Sequence, residues 1–374
     1  MAMRIDRVRI ARVPLRLVAP LRTSQGDHTS RTAVLVEITA DDGTVGWGEN
    51  VAPEGAFYTG ETAAVSLDHL RNVVVPALVD DADDELDDDQ LDERDAAVSA
   101  MPMAAHAFTS ALADVEARQR GVALATALGG TPRDVRVGVV VGLHDTVDAA
   151  VAECMARAAQ GYTRVKVKIA PWRDIDVVRE VRAALPAGVE LHVDANGAYD
   201  PADPGRLAFL DDHGIGLVEQ PFAASEMRAH AVLAARIATP VCLDESIPDF
   251  AAAVEAISTR ACSVMNVKPA RVGGFHAAVA ILSLCSRSGT GAWIGGMLES
   301  GIGRAGCLAL ATHPACTHTP DLSASDRYFA PDVTEPFVLA NGSIAVPRGP
   351  GLGVVPRRDL LEGDGSSIET VFER

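Results

Sequence analysis

Residues 164–169 read RVKVKI, and this stretch decides the fold prediction because it has the pattern of a β-strand with one charged face. The two-residue period of a strand places Lys166 and Lys168 on one face and three aliphatic side chains on the other. We expect the aliphatic face to pack against helices and the lysines to point inward. Two ammonium groups on one face disfavour charging both, so the pKa of at least one should fall, as a lysine general base requires. Alternatively, Lys166 stays charged and binds a substrate carboxylate.

Lysine is used at only three positions in the chain of 374 residues, Lys166, Lys168 and Lys268, whereas arginine supplies the other basic side chains. Arginine does not lose its proton at working pH. The three lysines all fall in segments with strand character. This usage indicates that an amine able to lose its proton is needed there.

A series of short β-rich runs, alternating with helical stretches, extends in both directions from the RVKVKI strand. Such alternation is typical of βα units around a parallel sheet. The predicted strands are 136–143, 164–169, 190–196, 216–221, 241–246, 263–269, 291–297 and 317–322. Eight strands recurring about every 25 residues favour a closed barrel of the α/β class over an open doubly wound sheet. The eighth strand has the weakest pattern.

The two ends of the chain have a different pattern. Residues 1–50 alternate as an antiparallel meander, and apolar residues recur at helical spacing over 63–79 and 102–128, which predicts an α+β domain. Near the C-terminus, Asn341-Gly342 predicts a type I′ hairpin turn, and we expect this tail to pack back on the N-terminal domain. The predicted boundaries are 1–128 for the N-terminal capping domain, 129–325 for the barrel and 326–374 for the returning segment.

Three carboxylates, Asp194, Glu219 and Asp244, fall at the C-terminal ends of consecutive predicted strands. Active sites of barrels of parallel strands are built at that face. An all-oxygen ligand set without His or Cys selects Mg²⁺ or Mn²⁺ over zinc. A lone Asp at a strand end is more often a helix cap, but three in register with the lysines favour a metal site. Asn196, on the same face as Asp194, either orients a ligand or contacts the substrate.

Lys268 ends the sixth predicted strand, four strands around the ring from Lys168, and therefore lies on the opposite wall. Two amines flanking a metal site suggest an enzyme that removes a proton from carbon, because a metal on a substrate carboxylate stabilises the resulting anion. Arg271 either lowers the pKa of Lys268 or binds a loop carbonyl. Glu299 is either a partner of Lys268 or a helix-start residue. We expect His192, on the inward face, to be a core histidine.

Composition excludes several other classes of protein. A formal charge of −18 argues against binding to nucleic acid or anionic lipid. No signal peptide and no apolar stretch of membrane-spanning length is present. Six scattered cysteines without a C-x-x-C pair predict buried free thiols and a cytoplasmic location. No G-x-G-x-x-G motif comes directly after a predicted strand, and the G-x-x-x-x-G-K-[ST] and G-x-S-x-G motifs do not occur. The acidic run 80–95 is interpreted as a solvated surface or a peripheral cation site.

Several motifs together resemble the enolase superfamily, and specifically its muconate-lactonizing subgroup. They are VKVK at 165–168, VDAN at 193–196, VEQP at 218–221, CLDES at 242–246 and NVKPARVGG at 266–274. A second set is similar to the o-succinylbenzoate synthase and N-succinylamino acid racemase family. It comprises GGMLESGIGRA at 295–305, DLSASDRYF at 321–329 and EPFVLANGSIAVPRGPGLGV at 335–354. The resemblance extends over essentially the whole chain.

The resemblance implies a capping domain over a modified TIM barrel, (β/α)7β, with Mg²⁺ on the three carboxylates and with Lys168 and Lys268 as the acid/base pair. In a racemase, each lysine would serve one face of the α-carbon. In a synthase, Lys168 would perform both proton steps of a syn dehydration while Lys268 stabilises the anion. The resemblance also implies a small carboxylic acid substrate, a homo-oligomer and a place in menaquinone biosynthesis.

Other reactions on the same scaffold stay open. A muconate cycloisomerase-like enzyme or another acid dehydratase or epimerase is the main alternative, although an acid-sugar dehydratase often needs a His base that the sixth and seventh strand ends lack. A non-catalytic metal-binding relative is disfavoured because all five core positions are filled.

Substrate specificity in such enzymes comes partly from capping-domain loops, which here are Leu21–His28 and Pro53–Thr62. Val140 stands where relatives often carry a small hydroxyl residue, and Ala270 replaces a common glycine. If a serine there normally bonds the substrate, Val140 argues against a succinyl-type substrate, because an apolar side chain cannot replace that hydrogen bond. The candidate substrate-binding residues are Lys166, Asn196, Val140, Met297 and Leu298.

Overall fold

The computed structural model describes residues 3–23, 26–55, 59–79 and 88–374, and it describes no side chains at 20–29, 88 and 89. Residues 24 and 25 of the predicted specificity loop Leu21–His28, the middle of Pro53–Thr62 and the first half of the acidic run 80–95 therefore lie outside the described residues, and the rest of Leu21–His28 is described by its backbone only.

The two ends of the chain form one antiparallel sheet of four strands in the order β14-β1-β2-β3. Its strands are β1 (Ile5–Thr23), β2 (Gly26–Ala40), β3 (Val45–Asn50) and β14 (Ser367–Glu373). The last strand of the chain pairs with the first, from Arg7↔Glu373 to Arg12↔Ser367. The C-terminal tail thus returns to the N-terminal domain, as predicted.

Helices cover one face of this sheet. They are α1 (Ala63–His69), a π-helical turn (Leu70–Val74), α2 (Val75–Val79), α3 (Asp88–Ser99) and α4 (Pro102–Gln119). The backbones of α4 and β3 approach each other closely at Gly48. A Cβ there would lie 2.0 Å from the Ala107 carbonyl oxygen. Sheet and helices enclose an apolar core of their own, which confirms the α+β capping domain.

The centre of the chain forms a parallel sheet of seven strands in the order β11-β10-β9-β8-β7-β6-β5. These strands are β5 (Val139–Val141), β6 (Arg164–Lys168), β7 (Glu190–Asp194), β8 (Val218–Glu219), β9 (Val241–Leu243), β10 (Val264–Val267) and β11 (Gly291–Ile294). The connecting helices are α6 (Val147–Ala159), α7 (Asp174–Ala184), a 3-10 helix (Pro204–His213), α8 (Met227–Ala234), α9 (Phe250–Ser258), α10 (Phe275–Ser288) and α11 (Gly301–Ala311). Helix α5 (Leu124–Ala127) precedes them.

The eighth predicted strand, 317–322, is not a regular strand. It closes the ring through an isolated parallel bridge between Gly295 and Asp321. On the other side, Gly138 N donates to the Pro320 carbonyl at 2.9 Å. Pro320 has no N–H to contribute to a ladder, so regular pairing stops there. The ring is a (β/α)7β barrel in which the last element is atypical.

The first predicted strand, 136–143, is divided. Residues Val135–Arg136 form β4, which pairs with the C-terminal hairpin, and only Val139–Val141 belongs to the barrel. Gly138 separates the two parts, and a Cβ there would lie 2.4 Å from the Arg164 guanidinium. The strand therefore changes partners where a buried arginine crosses it.

The hairpin of the tail comprises β12 (Leu339–Ala340) and β13 (Ser343–Ile344). Asn341 and Gly342 both have positive φ, 51° and 77°, as the predicted type I′ turn requires. The hairpin pairs with β4 rather than with the capping sheet, whereas β14 and residues 351–354, which bond Asp114, Arg118, Val122 and Leu124, pack on the N-terminal domain as expected. A short helix α12 (Arg358–Leu361) precedes β14. The domain boundaries at 128/129 and 325/326 stay predictions.

Within the described part of the chain, no single helix has the length and apolar character needed to cross a membrane. One bent pair, Gln90–Ser99 with Pro102–Gln119, passes the same test only when taken together. All six cysteines are free thiols, as predicted, and four of them are buried.

Candidate active site

The strand register places the predicted site residues side by side at the carboxyl end of the barrel. Lys168 is in register with Asp194, and Asp194 with Glu219. Glu219 is in register with Cys242, so Asp244 lies two residues further along the next strand. Lys268 directly follows β10. Because side chains in register on neighbouring parallel strands point to the same face, both lysine walls and the three carboxylates share one end of the barrel.

Lys166 lies at the centre of a buried ion cluster. Its Nζ donates to Glu219 Oε2 at 2.7 Å and contacts Asp194 at 3.1 Å and Asp321, and the residue is only 3% exposed. Burial opposes the charged form, but the charges of Asp321, Glu219 and Asp194 outweigh it and raise the pKa of Lys166 well above its ordinary value. The expected fall in pKa does not apply to this lysine. The contacts instead favour the alternative in which Lys166 stays charged.

Lys168 is held by one carboxylate and one amide. Its Nζ donates to Asp194 Oδ2 at 2.6 Å and to the Asn196 side-chain oxygen. Asn196 has φ of 43°, a left-handed conformation that asparagine tolerates better than most residues. Its side-chain nitrogen donates to Glu245 Oε1 at 2.9 Å. Asn196 therefore orients the Lys168 amine.

Lys268 on the other wall donates to Asp244 Oδ2 at 2.7 Å. Arg271 binds the second oxygen of Asp244 and also donates to the carbonyls of Ile247 at 3.0 Å and Asn266 at 2.7 Å. Burial would raise the pKa of Asp244, but the charges of Lys268 and Arg271 hold that pKa below its ordinary value. Arg271 thus makes the predicted carbonyl contacts, and it also binds the same Asp244 carboxylate as Lys268.

The carboxylates fit a hard divalent cation by chemistry. Burial, and after it the nearby charge of Asp194, raises the pKa of Glu219 to about 8. Glu245 Oε2 is buried without a hydrogen-bond partner among the described residues. In the described part of the chain, no three His, Cys, Asp or Glu side chains converge as a metal site. The oxygens point at the amines, so each would have to exchange an amine contact for an ion.

Several residues of the site were not predicted from sequence. Asp321 joins Lys166 to Arg164, whose guanidinium lies 4.5 Å from the centre of the Trp293 ring. Asn266 donates to Glu219 Oε1 at 2.9 Å. The two-residue strand period was an available signal for Arg164 and Asn266, since each lies two positions before an inward-facing lysine.

His192 is a core residue, as predicted. Its Nε2 bonds Glu190 Oε1 at 2.7 Å, and its ring meets Trp293 edge-on at 5.8 Å. Burial lowers its pKa to about 4, so the imidazole is neutral near pH 7.

Of the other predicted substrate-binding residues, Val140 lies within β5, and Met297 and Leu298 follow β11. Val140 is in register with Lys166 on the neighbouring strand. Met297 packs against a small apolar cluster of Val51, Ala52, Met103 and Ala270 at the boundary between cap and barrel. Leu298 has φ of 62°. Glu299 accepts a hydrogen bond from Met297 N at 2.7 Å and directly precedes Ser300, the residue before α11, which fits its alternative as a helix-start residue.

A cavity of about 480 Å³ borders Lys168. Its wall includes His144, Arg173 and Trp172, and the Trp172 side chain is 74% exposed. The Lys168 side chain itself is 14% exposed, and that of Lys268 is 11% exposed.

Comparison with known proteins identifies the family. Residues 5–129 match the mandelate racemase / muconate lactonizing enzyme N-terminal domain, and residues 149–360 match the enolase C-terminal domain-like family. The chain belongs to the enolase superfamily. An N-succinylamino acid racemase of Amycolatopsis sp is 40% identical to this superfamily member over 360 residues, covering 96% of this chain and 97% of that protein. An o-succinylbenzoate synthase of Geobacillus kaustophilus is 40% identical over 362 residues, covering 96% of each.

The fold of this enolase-superfamily enzyme is also that of solved relatives. A crystal structure of an enolase-superfamily protein from Listeria innocua superposes with a TM-score of 0.89 at 32% identity, covering 99% of this chain and 100% of the other. Enzymes of the superfamily use a divalent metal ion and act on small carboxylate substrates.

Proposed function

We propose that this enzyme removes the proton α to a carboxylate in a reaction that depends on a divalent metal. It acts as an o-succinylbenzoate synthase, an N-succinylamino acid (N-acylamino acid) racemase, or both. Relatives with each of these names are 40% identical to the chain over nearly its full length, which supports both readings.

The observation that carries the proposal is the placement of Lys168 and Lys268. Lys168 is the last residue of β6, and Lys268 directly follows β10, with β7, β8 and β9 between these two strands. Each lysine is bonded to a carboxylate at the end of an intervening strand. Both charges also act on Glu245, lowering a pKa that burial and the neighbouring carboxylates raise. A substrate carbon between the two walls would face an amine on either side.

Asp194, Glu219 and Asp244 are the residues that would hold Mg²⁺ or Mn²⁺. When bound, such an ion supplies positive charge that stabilises the anion formed on the substrate carboxylate. Their placement at the ends of three neighbouring strands supports this assignment, because carboxylate oxygens are the ligands that such ions prefer. Lys166, held charged by its neighbours, binds the substrate carboxylate.

The roles of the two lysines differ between the reactions. For racemisation, Lys168 takes the α-proton from one face and Lys268 returns a proton to the other, or the reverse. For dehydration, Lys168 takes the α-proton and then protonates the leaving hydroxyl on the same face, while the Lys268 ammonium stabilises the anion. Asn196, which bonds the Lys168 amine, positions it for either step.

Val140, Met297 and Leu298 complete the proposed substrate contacts, and Arg271 and Glu299 support the site from behind. The six free thiols support a cytoplasmic location. We expect a homo-oligomer.

The test uses N-succinylamino acids with Mg²⁺ in deuterated water, following α-deuterium uptake by mass spectrometry together with optical rotation. Formation of o-succinylbenzoate is assayed in parallel. Uptake of α-deuterium into the N-succinylamino acids without formation of o-succinylbenzoate would assign the racemase. Formation of o-succinylbenzoate without that uptake would assign the synthase. If neither proceeds, the substrate assignment is wrong.

A further inference from the structure

One arginine of the capping domain reaches the rim of the barrel. Arg31 lies on β2, and its Nη1 donates to the Leu298 carbonyl and, more weakly at 3.5 Å, to that of Met297. Its Nη2 donates to Glu49 Oε1 at 2.9 Å and to the Asn50 carbonyl at 3.2 Å. The guanidinium therefore joins two capping strands to the segment that follows β11.

Glu49 completes this contact from the neighbouring strand. It is 1% exposed, and it accepts hydrogen bonds from Ser300 N at 3.0 Å, Ser300 Oγ at 2.7 Å and Gly303 N at 2.9 Å. The Ser300 side chain makes no capping bond within its own helix. A carboxylate of the capping domain thus caps α11 of the barrel, at the end where the helix dipole favours negative charge.

The segment held in this way has an unusual backbone. Leu298 adopts a left-handed φ of 62°, which is uncommon for a residue with a branched side chain and needs support from its surroundings. Arg31 binds the carbonyl of this residue, and Glu49 binds the amides that begin the next helix. The segment lies at the carboxyl end of β11, where the substrate side of the barrel is built.

We propose that Arg31, oriented by Glu49, is a positioning residue that fixes the Met297–Leu298 segment over the barrel mouth and so sets how tightly the substrate binds. This inference rests on the proposed function, in which Met297 and Leu298 contact the substrate. On this inference, substrate affinity depends on the contact between the capping sheet and the barrel as well as on the capping-domain loops.

Arg31→Lys is the informative substitution because it keeps the charge. A lysine has no planar fork and cannot bind the Leu298 carbonyl and Glu49 with the same fixed geometry. Arg9→Lys is the matched control. Arg9 makes a bidentate pair with the buried Glu37 in the same sheet, at 2.8 and 2.6 Å, without a described contact to the barrel.

The first measurement is amide hydrogen exchange of the metal-loaded enzyme, read over 295–303 and over β6. In Arg31→Lys we expect exchange in 295–303 to accelerate about tenfold while β6 is unchanged, because local opening raises exchange only where the supporting bonds are lost. Arg9→Lys should leave both segments unchanged. Glu49→Gln, which weakens the same contact from its other side, should accelerate exchange over 295–303 as well, and it serves in place of Arg31→Lys if that variant is poorly folded.

The second measurement is the kinetics of α-proton exchange. For Arg31→Lys we expect KM to rise about tenfold and kcat to change less than about threefold, because the lysine walls keep their own contacts. A general loss of structure would instead lower kcat and appear equally in Arg9→Lys.

The outcomes separate the two proposals. Unchanged exchange over 295–303 in both Arg31→Lys and Glu49→Gln overturns the positioning role, whether or not the enzyme turns over any substrate tried. A fall in kcat without a rise in KM also overturns it. A wild-type enzyme that exchanges no α-proton contradicts the proposed function, while the hydrogen-exchange result still decides whether Arg31 positions the segment.

Discussion

The two lysine walls of the barrel use the same kind of ion pair in different surroundings. Lys168 is bonded to Asp194, which it shares with Lys166, and to the amide of Asn196. Lys268 is bonded to Asp244, which it shares with Arg271. Arg271 keeps its proton under all working conditions, whereas a lysine can release one. The walls therefore differ in the second cation that shares each carboxylate, which is a lysine at Asp194 and an arginine at Asp244.

This difference matters for a reaction in which one amine must give up a proton and regain it. On the Lys168 wall, other acceptors surround each amine, and a solvent-accessible cavity borders Lys168. On the Lys268 wall, the amine shares the carboxylate of Asp244 with the permanent cation Arg271. We interpret the first wall as the adaptable one and the second as the fixed one.

The largest expected effect comes from replacing each lysine by arginine. Lys168→Arg should abolish both α-proton exchange and dehydration, with a loss of at least about 10³-fold, because a guanidinium cannot act as a base. Lys268→Arg should abolish racemisation to a similar extent but retain measurable dehydration, since a fixed positive charge is all that the synthase reaction needs on that wall. Both rates are measured with the assays described above, and Mg²⁺ binding is followed by calorimetry.

Binding of Mg²⁺ should survive in both variants, which separates loss of the base from loss of the site. Substantial exchange in Lys168→Arg would remove Lys168 as the base. Equal loss of both reactions in the two variants would show that the walls are equivalent.

A smaller effect on stability should distinguish the carboxylates of the two walls. Asp244→Asn removes the carboxylate that both Lys268 and the 3% exposed Arg271 bind, and should lower the free energy of unfolding by about 3 to 5 kcal/mol. Asp194→Asn should cost less, because Lys166 keeps Glu219 and Asp321, and Lys168 keeps Asn196. Urea unfolding in the presence of a chelator measures both, and an equal or reversed order would contradict the distinction between the walls.

The sequence predicted the lysines, the carboxylates and the barrel because these depend on short-range regularities. A two-residue period identifies the inward face of each strand, and the repeat of βα units identifies the ring. The type I′ turn at Asn341-Gly342 was predictable for the same reason, since both residues suit positive φ.

The partners of these residues depend on contacts between distant parts of the chain, which local patterns do not contain. Asp321 was missed because its segment joins the ring by a single bridge instead of a regular strand. Arg31 lies more than 260 residues from the carbonyl that it binds. The prediction that the hairpin joins the capping domain was wrong, because the sequence of a turn does not identify the strand with which the hairpin will pair. That strand is β4.

The smallest expected effect concerns a buried histidine that lies between helix α4 of the capping domain and helix α10 of the barrel. His106 of α4 meets Phe275, the first residue of α10, edge-on at a ring distance of 5.2 Å, and its Nδ1 is buried without a described partner. Burial lowers its pKa to about 4, below the ordinary value of 6.5, so the unfolded chain binds a proton more readily between these two values. Stability should therefore fall as the pH decreases from about 6.5 towards 4, and this histidine alone should contribute about 2 kcal/mol of that loss by pH 5.

His106→Leu should show a correspondingly smaller difference in unfolding free energy between pH 7.5 and pH 5. His213→Gln is the matched control, because His213 also meets a phenylalanine edge-on, at 5.9 Å, but is only partly buried. If His106→Leu retained the full pH dependence of the wild type, burial of this imidazole would not be the source of the predicted loss of stability in acid.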